Sequence, residues 1–283
     1  MKQAVKRALK RLGAYESAVR AYCRVEKLYV KGRDVGAYLA SPLGNAPYLL
    51  RGAGDGLALP PVRLVHLVTN TYSYRWFLES GKVGTTCMAA ILAKNGYAIG
   101  GFSSILDFGC GCGRMMRHWS NLQGPRFHGT DYQDALAGWC RVHLPFAHFD
   151  TNRLSAGLPY EQGSFDFIYA ISVFTHLTEE MGLAWMKELR RVLKPGGLLY
   201  ATYMGTTRAP HLRAELREEW RAGGLVVTSA DTAGENTCAA YHSERYVRDV
   251  LARGFRVVDF IPGGARDANQ DVALMRREDA KVA

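Results

Sequence analysis

The segment SSILDFGCGCGR, residues 103–114, runs an apolar stretch into a turn in which Gly109, Gly111 and Gly113 alternate with other residues. Glycines at these positions let the backbone approach a ligand closely, because no Cβ intervenes. Beyond it, short apolar runs alternate with amphipathic stretches, which predicts a parallel sheet with helices on both faces. Strands are expected at 103–109, 126–131, 146–150, 165–171, 197–204, 255–261 and 271–276, and helices at 113–122, 132–142, 178–193 and 242–253. Pro195 with Gly196 and Gly197 reads as the stop of the third helix.

What the turn holds is a matter of charge. The spacing is G-x-G-x-G, with Arg114 where a dinucleotide fingerprint would place its third glycine. Asp107, two residues before the first glycine, would oppose a pyrophosphate but would favour a ligand carrying an ammonium and a sulfonium group. That logic points to S-adenosylmethionine. In FHGTD, Asp131 closes the second strand, where a carboxylate can accept both ribose hydroxyls of an adenosine. Cys110 and Cys112 lack a second cysteine pair or a His-x-His partner set at zinc spacing, so no metal site is expected and both read as small fillers of a crowded turn.

Composition matters mainly through where the charge falls. The chain has 283 residues and a formal charge of +10, but residues 1–34 hold ten Lys/Arg against three Asp/Glu. The body is therefore nearly neutral, and nucleic acid is not an expected partner. Residues 1–35 read as a basic amphipathic arm, with Lys2, Lys6, Arg7, Lys10 and Arg11 around apolar positions at helical spacing. Its candidate contacts are its own body, a second subunit or the surface of an anionic membrane. Residues 36–100 read as a Gly/Pro/Ala-rich linker at 36–61 followed by a helical cap ending in a helix at 82–95, and residues 101–283 as the core with a substrate-side insertion at 205–242. Six scattered cysteines, no long apolar span and no secretory leader lead to the expectation of reduced thiols and a cytoplasmic location.

As a set, ILDFGCGCGR, GTD, SFDFIYAISVFTHL and ELRRVLKPGGLLYATY resemble class I S-adenosylmethionine-dependent methyltransferases over residues 103–204. FLESG, YHSERYV and QDVALMRR extend the likeness to bacterial members that act in glycan and natural-product pathways. The resemblance implies a Rossmann-like, seven-stranded, mostly parallel sheet with a reversed last strand, S-adenosylmethionine over the carboxyl ends of the strands and S-adenosylhomocysteine as product. By motif match it puts Asp107, Gly109 and Gly111 at the methionyl end and Asp131 at the ribose, with Cys110, Arg114 and Tyr132 as further cofactor contacts. Asp150 or Asn152 then falls near the adenine amine, Ser172 is a cofactor contact, and Ser172 and Val173 line the methyl-transfer cleft.

The acceptor is approached by exclusion. AISVFTHL lacks the Asn/Asp-Pro-Pro-aromatic loop that holds an extruded base, and neither YAIS nor YATYMG supplies acidic ligands for a divalent cation. A small molecule with an oxygen or nitrogen nucleophile remains, a sugar or a secondary metabolite. His176 is the base candidate for a hydroxyl, with capping of the helix that begins near Thr178 as its other role. Tyr72, Tyr74, Arg75, Tyr241 and His242 are candidate acceptor contacts. Two further functions fit a similar sheet: an NAD-linked sugar reductase or epimerase, disfavoured by Asp107 and Arg114, and a non-catalytic scaffold, disfavoured by an intact ligand turn.

Overall fold

The computed structural model describes residues 15–278. Its centre is a seven-stranded sheet in the order β3-β2-β1-β4-β5-β9-β8. The strands are β1 (Ser104–Phe108), β2 (Arg126–Asp131), β3 (Ala147–Thr151), β4 (Phe165–Ala170), β5 (Leu193–Tyr203), β8 (Phe255–Ala265) and β9 (Gln270–Arg277). β1 to β5 pair in parallel, and β9 runs antiparallel to both neighbours. The α/β architecture with one reversed strand is the expected one.

Strand alternation divides the core in two. Leu106, Phe108, Ile168, Ala170, Leu199 and Ala201 face one side, against Trp185, Met186 and Leu189 of α5 (Glu179–Val192). Ile105, Phe167, Tyr169, Leu198 and Tyr200 face the other, against Met88, Ile91 and Leu92 of α3 (Tyr74–Lys94) and Cys140 of α4 (Asp134–His143). Helix starts follow local rules. Ser73 and Thr178 precede α3 and α5, and their hydroxyls accept the Trp76 and Met181 amides.

The chain leaves the expected pattern in three places. The helix expected at 113–122 is a turn followed by a single 3₁₀ segment, Met116–Trp119. Cys112, Met115, Met116, Arg117 and Trp119 are all buried, so the stretch has no solvent face for a 3.6-residue period. Arg117, only 1% exposed, instead forms a bidentate pair with Asp55, Nε to Oδ2 at 2.7 Å and Nη2 to Oδ1 at 3.0 Å. The helix expected at 242–253 is one turn, α7 (Glu244–Tyr246), that widens into a π turn over Val247–Leu251.

The third departure is N-terminal. Residues 36–51, read from sequence as linker, belong to α1 (Tyr15–Arg51), which keeps Pro42 and Pro47 inside it. Alanine and leucine, good helix formers, occupy 37, 39, 40, 43, 46, 49 and 50, and the two prolines each leave one N–H donor missing from the helix. α1 and the body from Gly52 onward are separate compact units. The basic cluster Lys2, Lys6, Arg7, Lys10 and Arg11 lies outside the described residues. Among the described residues, no helix is long and apolar enough to cross a membrane.

The cap consists of α2 (Val62–Thr69) and α3, so the expected helix at 82–95 begins eight residues earlier. Residues 205–242 hold α6 (Ala214–Arg221) and the antiparallel ribbon of β6 (Leu225–Thr228) and β7 (Ala239–His242).

Candidate functional site

A cavity of about 510 Å³ opens over the carboxyl ends of the parallel strands. Gly109 and Gly111 after β1, Asp131 and Tyr132 at the end of β2, Asn152 after β3, and Ser172, Val173 and His176 after β4 all line it, as does Arg114. This is the crevice where an open α/β sheet presents its ligand site.

The glycine turn is shaped by left-handed backbone at Gly109 (φ 81°), Gly111 (φ 55°) and Gly113 (φ 76°). Space is equally restrictive, since a Cβ on Gly109 would lie 2.4 Å from Val173 and one on Gly111 2.7 Å from Val68 at the end of α2. Asp131 is aimed by two backbone donors, Gly111 N to Oδ2 and Gln133 N to Oδ1, each at 2.9 Å. Burial raises its pKa, and these amides oppose the shift. Each oxygen keeps a free lone pair for a ligand hydroxyl. Asn152 is fixed by the Thr130 hydroxyl at 2.7 Å. Arg114 stands 3.0 Å from the buried Asp267 and reaches Ser80 at 3.3 Å.

Ser172 leaves β4 at φ 58°, a strained value for a residue with a side chain. Its amide donates to Thr202 Oγ1 at 2.8 Å, Thr202 donates to Gln270 Oε1 at 2.6 Å, and Gln270 Nε2 donates back to Ser172 Oγ at 2.9 Å. This closed ring of hydrogen bonds holds the turn that delivers His176. The His176 ring is 2.8 Å from the Cys238 carbonyl through Nδ1. A carbonyl only accepts, so Nδ1 carries the proton and Nε2 is the basic nitrogen. Burial pushes the imidazole pKa below its usual value, with the Cys238 hydrogen bond opposing. His176 does not cap α5, because Thr178 performs that role with its own hydroxyl.

Eight residues singled out from the sequence do not line the cavity. Asp107 points to the α3 side of the sheet, in register with Tyr169, whose hydroxyl donates to it at 2.8 Å. Burial raises its pKa to about 7, so it reads as a buried acid beneath the turn rather than a wall of the site. Cys110 is buried beside Cys140. Asp150 accepts the Tyr160 hydroxyl at 2.8 Å, leaving Asn152 as the β3 residue at the site. Tyr72 stacks on His66, Tyr74 donates to the Pro60 carbonyl, and Arg75 pairs with Glu79 one turn along α3. Tyr241 lies in the β6–β7 ribbon. His242 is buried against Tyr203 and Tyr246, and burial lowers its pKa to about 4.

The cap contributes other residues instead. Because α3 begins at Tyr74, its helical period turns Tyr74 and Phe77 into the core while Trp76 and Ser80 line the cavity. The end of α2, from Leu67 to Asn70, adds a second edge, and Arg208 and Asn236 come from the 205–242 insertion. Of these, only Arg208 left a sequence signal, a cation in a stretch without a carboxylate from Gly205 to Ala214.

Residues 106–201 match a family model described as a methyltransferase domain. The chain is 30% identical over 101 residues to the sterol 24-C-methyltransferase erg6 of Schizosaccharomyces pombe, covering 34% of this chain and 26% of that protein. It is 28% identical over 121 residues to the malonyl-[acyl-carrier protein] O-methyltransferase of Enterobacter lignolyticus, covering 43% and 45%. The chain thus spans less than half the length of the curated relatives it matches. A solved structure of Burkholderia thailandensis 1,6-didemethyltoxoflavin-N1-methyltransferase, with S-adenosylhomocysteine bound, superposes with a TM-score of 0.51 at 15% identity over 78% of this chain and 92% of that one. At that identity the likeness is one of fold.

Proposed function

Because residues 106–201 are a methyltransferase domain of the class I, S-adenosylmethionine-dependent kind, we propose that the protein methylates a hydroxyl oxygen, or an amine nitrogen, of a small molecule such as a sugar or secondary metabolite. The cavity residues fit the cofactor: glycines where a Cβ would close the turn, and a buried carboxylate aimed by two amides. When bound, S-adenosylmethionine supplies an electrophilic methyl carbon on a sulfonium. Asp131 accepts the ribose hydroxyls, Tyr132 and Asn152 flank the adenosine, and Arg114 provides a cation beside the glycine turn. Ser172 and Val173 line the side on which the methyl group is presented.

Methyl transfer from a sulfonium is an in-line displacement, so positioning supplies most of the rate and deprotonation matters when the nucleophile is a hydroxyl. The observation that carries the oxygen reading is the tautomer of His176. With Nδ1 donating to Cys238 at 2.8 Å, Nε2 has a lone pair to take the proton from the acceptor. The curated relatives methylate carbon in one case and oxygen in another by their names, so acceptor chemistry is argued from this chain's own residues.

The test is His176→Ala, assayed with radiolabelled S-adenosylmethionine on small-molecule extract of the source cell and with calorimetry for cofactor binding. Turnover should fall by roughly 10²–10⁴-fold while cofactor affinity stays within a few-fold. Only the neutral imidazole is a base, and burial lowers its pKa, so wild-type activity should fall on acidification with a midpoint below about 6.5. A variant that keeps more than about a tenth of wild-type turnover with the same acidic limb refutes the assignment.

A further inference from the structure

Two arginines line the cavity without a carboxylate beside them among the described residues. Arg153 follows β3 and Arg208 follows β5. Among the described residues neither side chain has an ion-pair or hydrogen-bond partner, whereas Arg114 is matched by Asp267. In the order β3-β2-β1-β4-β5, at about 4.8 Å per strand spacing, the strands that the two arginines follow lie roughly 19 Å apart across the sheet. Arg153 therefore belongs with the adenosine-side residues Asn152 and Asp131. Arg208 follows the strand next to the one that Ser172 and His176 follow, on the side proposed for the acceptor.

Arg208 is exposed, yet its backbone is firmly mounted. The buried Asp271 accepts the Thr206 amide at 2.8 Å and the Thr206 hydroxyl at 2.6 Å. The Gly205 carbonyl in turn accepts the Arg208 and Ala209 amides at 3.1 and 2.8 Å, starting the short turn that carries the side chain. Elsewhere along the cavity the cap supplies apolar surface. Trp76 is 50% exposed and Leu67 42% exposed, both large for cavity-lining residues in a folded body.

We propose that the acceptor is an amphipathic acid whose anionic group, carboxylate or phosphate, pairs with Arg208, and whose apolar body packs on Trp76 and Leu67. This rests on the methyl-transfer reading and narrows its substrate class. A guanidinium offers paired donors that match the geometry of either anion, and an unmatched cation lining the same cavity as His176 selects against a cationic acceptor. The anionic group anchors the molecule, and the nucleophile that faces His176 is a separate hydroxyl on it.

The experiment uses the full chain saturated with S-adenosylhomocysteine, titrated calorimetrically with aromatic and aliphatic hydroxy acids, their phosphate analogues, and the neutral carboxamide of each acid. The anionic member of each pair should bind at least tenfold more tightly than its amide, with the carboxylate and phosphate series separating the two anion sources. Arg208→Gln should shrink that preference to within twofold without changing S-adenosylhomocysteine affinity, and Arg208→Lys should retain part of it. Trp76→Ala should weaken the aromatic acids and their amides alike. Equal binding of acid and amide to the wild-type protein, a preference that survives Arg208→Gln, or no binding of any anion to the cofactor-loaded protein overturns the proposal. Failure of S-adenosylhomocysteine to bind at all would instead strike the methyl-transfer reading.

Discussion

Asp131 gives the sharpest test of the cofactor site, because its geometry assigns it two jobs that can be measured apart. Asp131→Ala removes the acceptors of the Gly111 and Gln133 amides, both at 2.9 Å and both in a region where Asp131 itself is buried. An orphaned buried donor costs about 1–3 kcal/mol, so the unliganded protein should lose stability even before a ligand is added. The ligand loses its bonds to a charged acceptor as well, worth about 1.5–3 kcal/mol, which at about 1.4 kcal/mol per decade raises the dissociation constant roughly ten- to hundredfold. Asp131→Asn is no rescue. An amide presents one oxygen and one NH₂, so one of the two backbone N–H groups must face another donor. The assay pairs thermal unfolding without ligand against calorimetric titration with S-adenosylmethionine under conditions where each variant is folded. If both variants bind the cofactor as tightly as the wild type, Asp131 does not hold the ribose and the placement of the nucleoside is wrong.

Two further expectations follow from buried groups in the same region. Asp107→Asn keeps an oxygen for the Tyr169 hydroxyl while removing a charge. The folded-state pKa of Asp107 is raised to about 7, so its contribution to stability is complete below the ordinary carboxylate range and is lost as pH rises through about 7. Melting temperatures of variant and wild type should therefore draw apart from pH 5 to pH 8, with the variant higher, and parallel curves would show that Asp107 does not titrate there. Gly111→Ala forces a side chain into left-handed backbone, at about 1–2 kcal/mol, and drives a Cβ to 2.7 Å from Val68. It should lower both the melting temperature and cofactor affinity, and an unchanged affinity would separate this glycine from the ligand.

The sheet was legible because its central strands are buried on both faces and read as short apolar runs, as in SILDF before Gly109 or FDFIYA after Gly163 and Ser164. The residues on the turn and at the strand ends followed from it, since topology alone brings Gly109, Asp131, Asn152, Ser172 and His176 to one edge. Asp107 misled because charge was weighed without direction. Strand alternation sends it to the opposite side from Phe108, under Tyr169 rather than into the cavity. The rest of the cavity wall was hidden for a different reason. Trp76 and Ser80 can be told from Tyr74 and Phe77 only when the first residue of α3 is known, and Arg208 and Asn236 reach the cavity through an insertion whose path is set by long-range contacts such as Asp271 to Thr206. Pro42 and Pro47 made residues 36–51 look like linker, where local alanine and leucine content prevailed.

Gly234 joins the two halves of the cavity. Its amide donates to the His176 carbonyl at 2.7 Å, and its own carbonyl accepts the Tyr132 hydroxyl at 2.8 Å. In the placement proposed above Tyr132 falls on the adenosine side and His176 on the acceptor side, and one residue at φ 90° links the two. The Tyr132 hydroxyl and the His176 carbonyl are thus tied to each other through the backbone of a single residue.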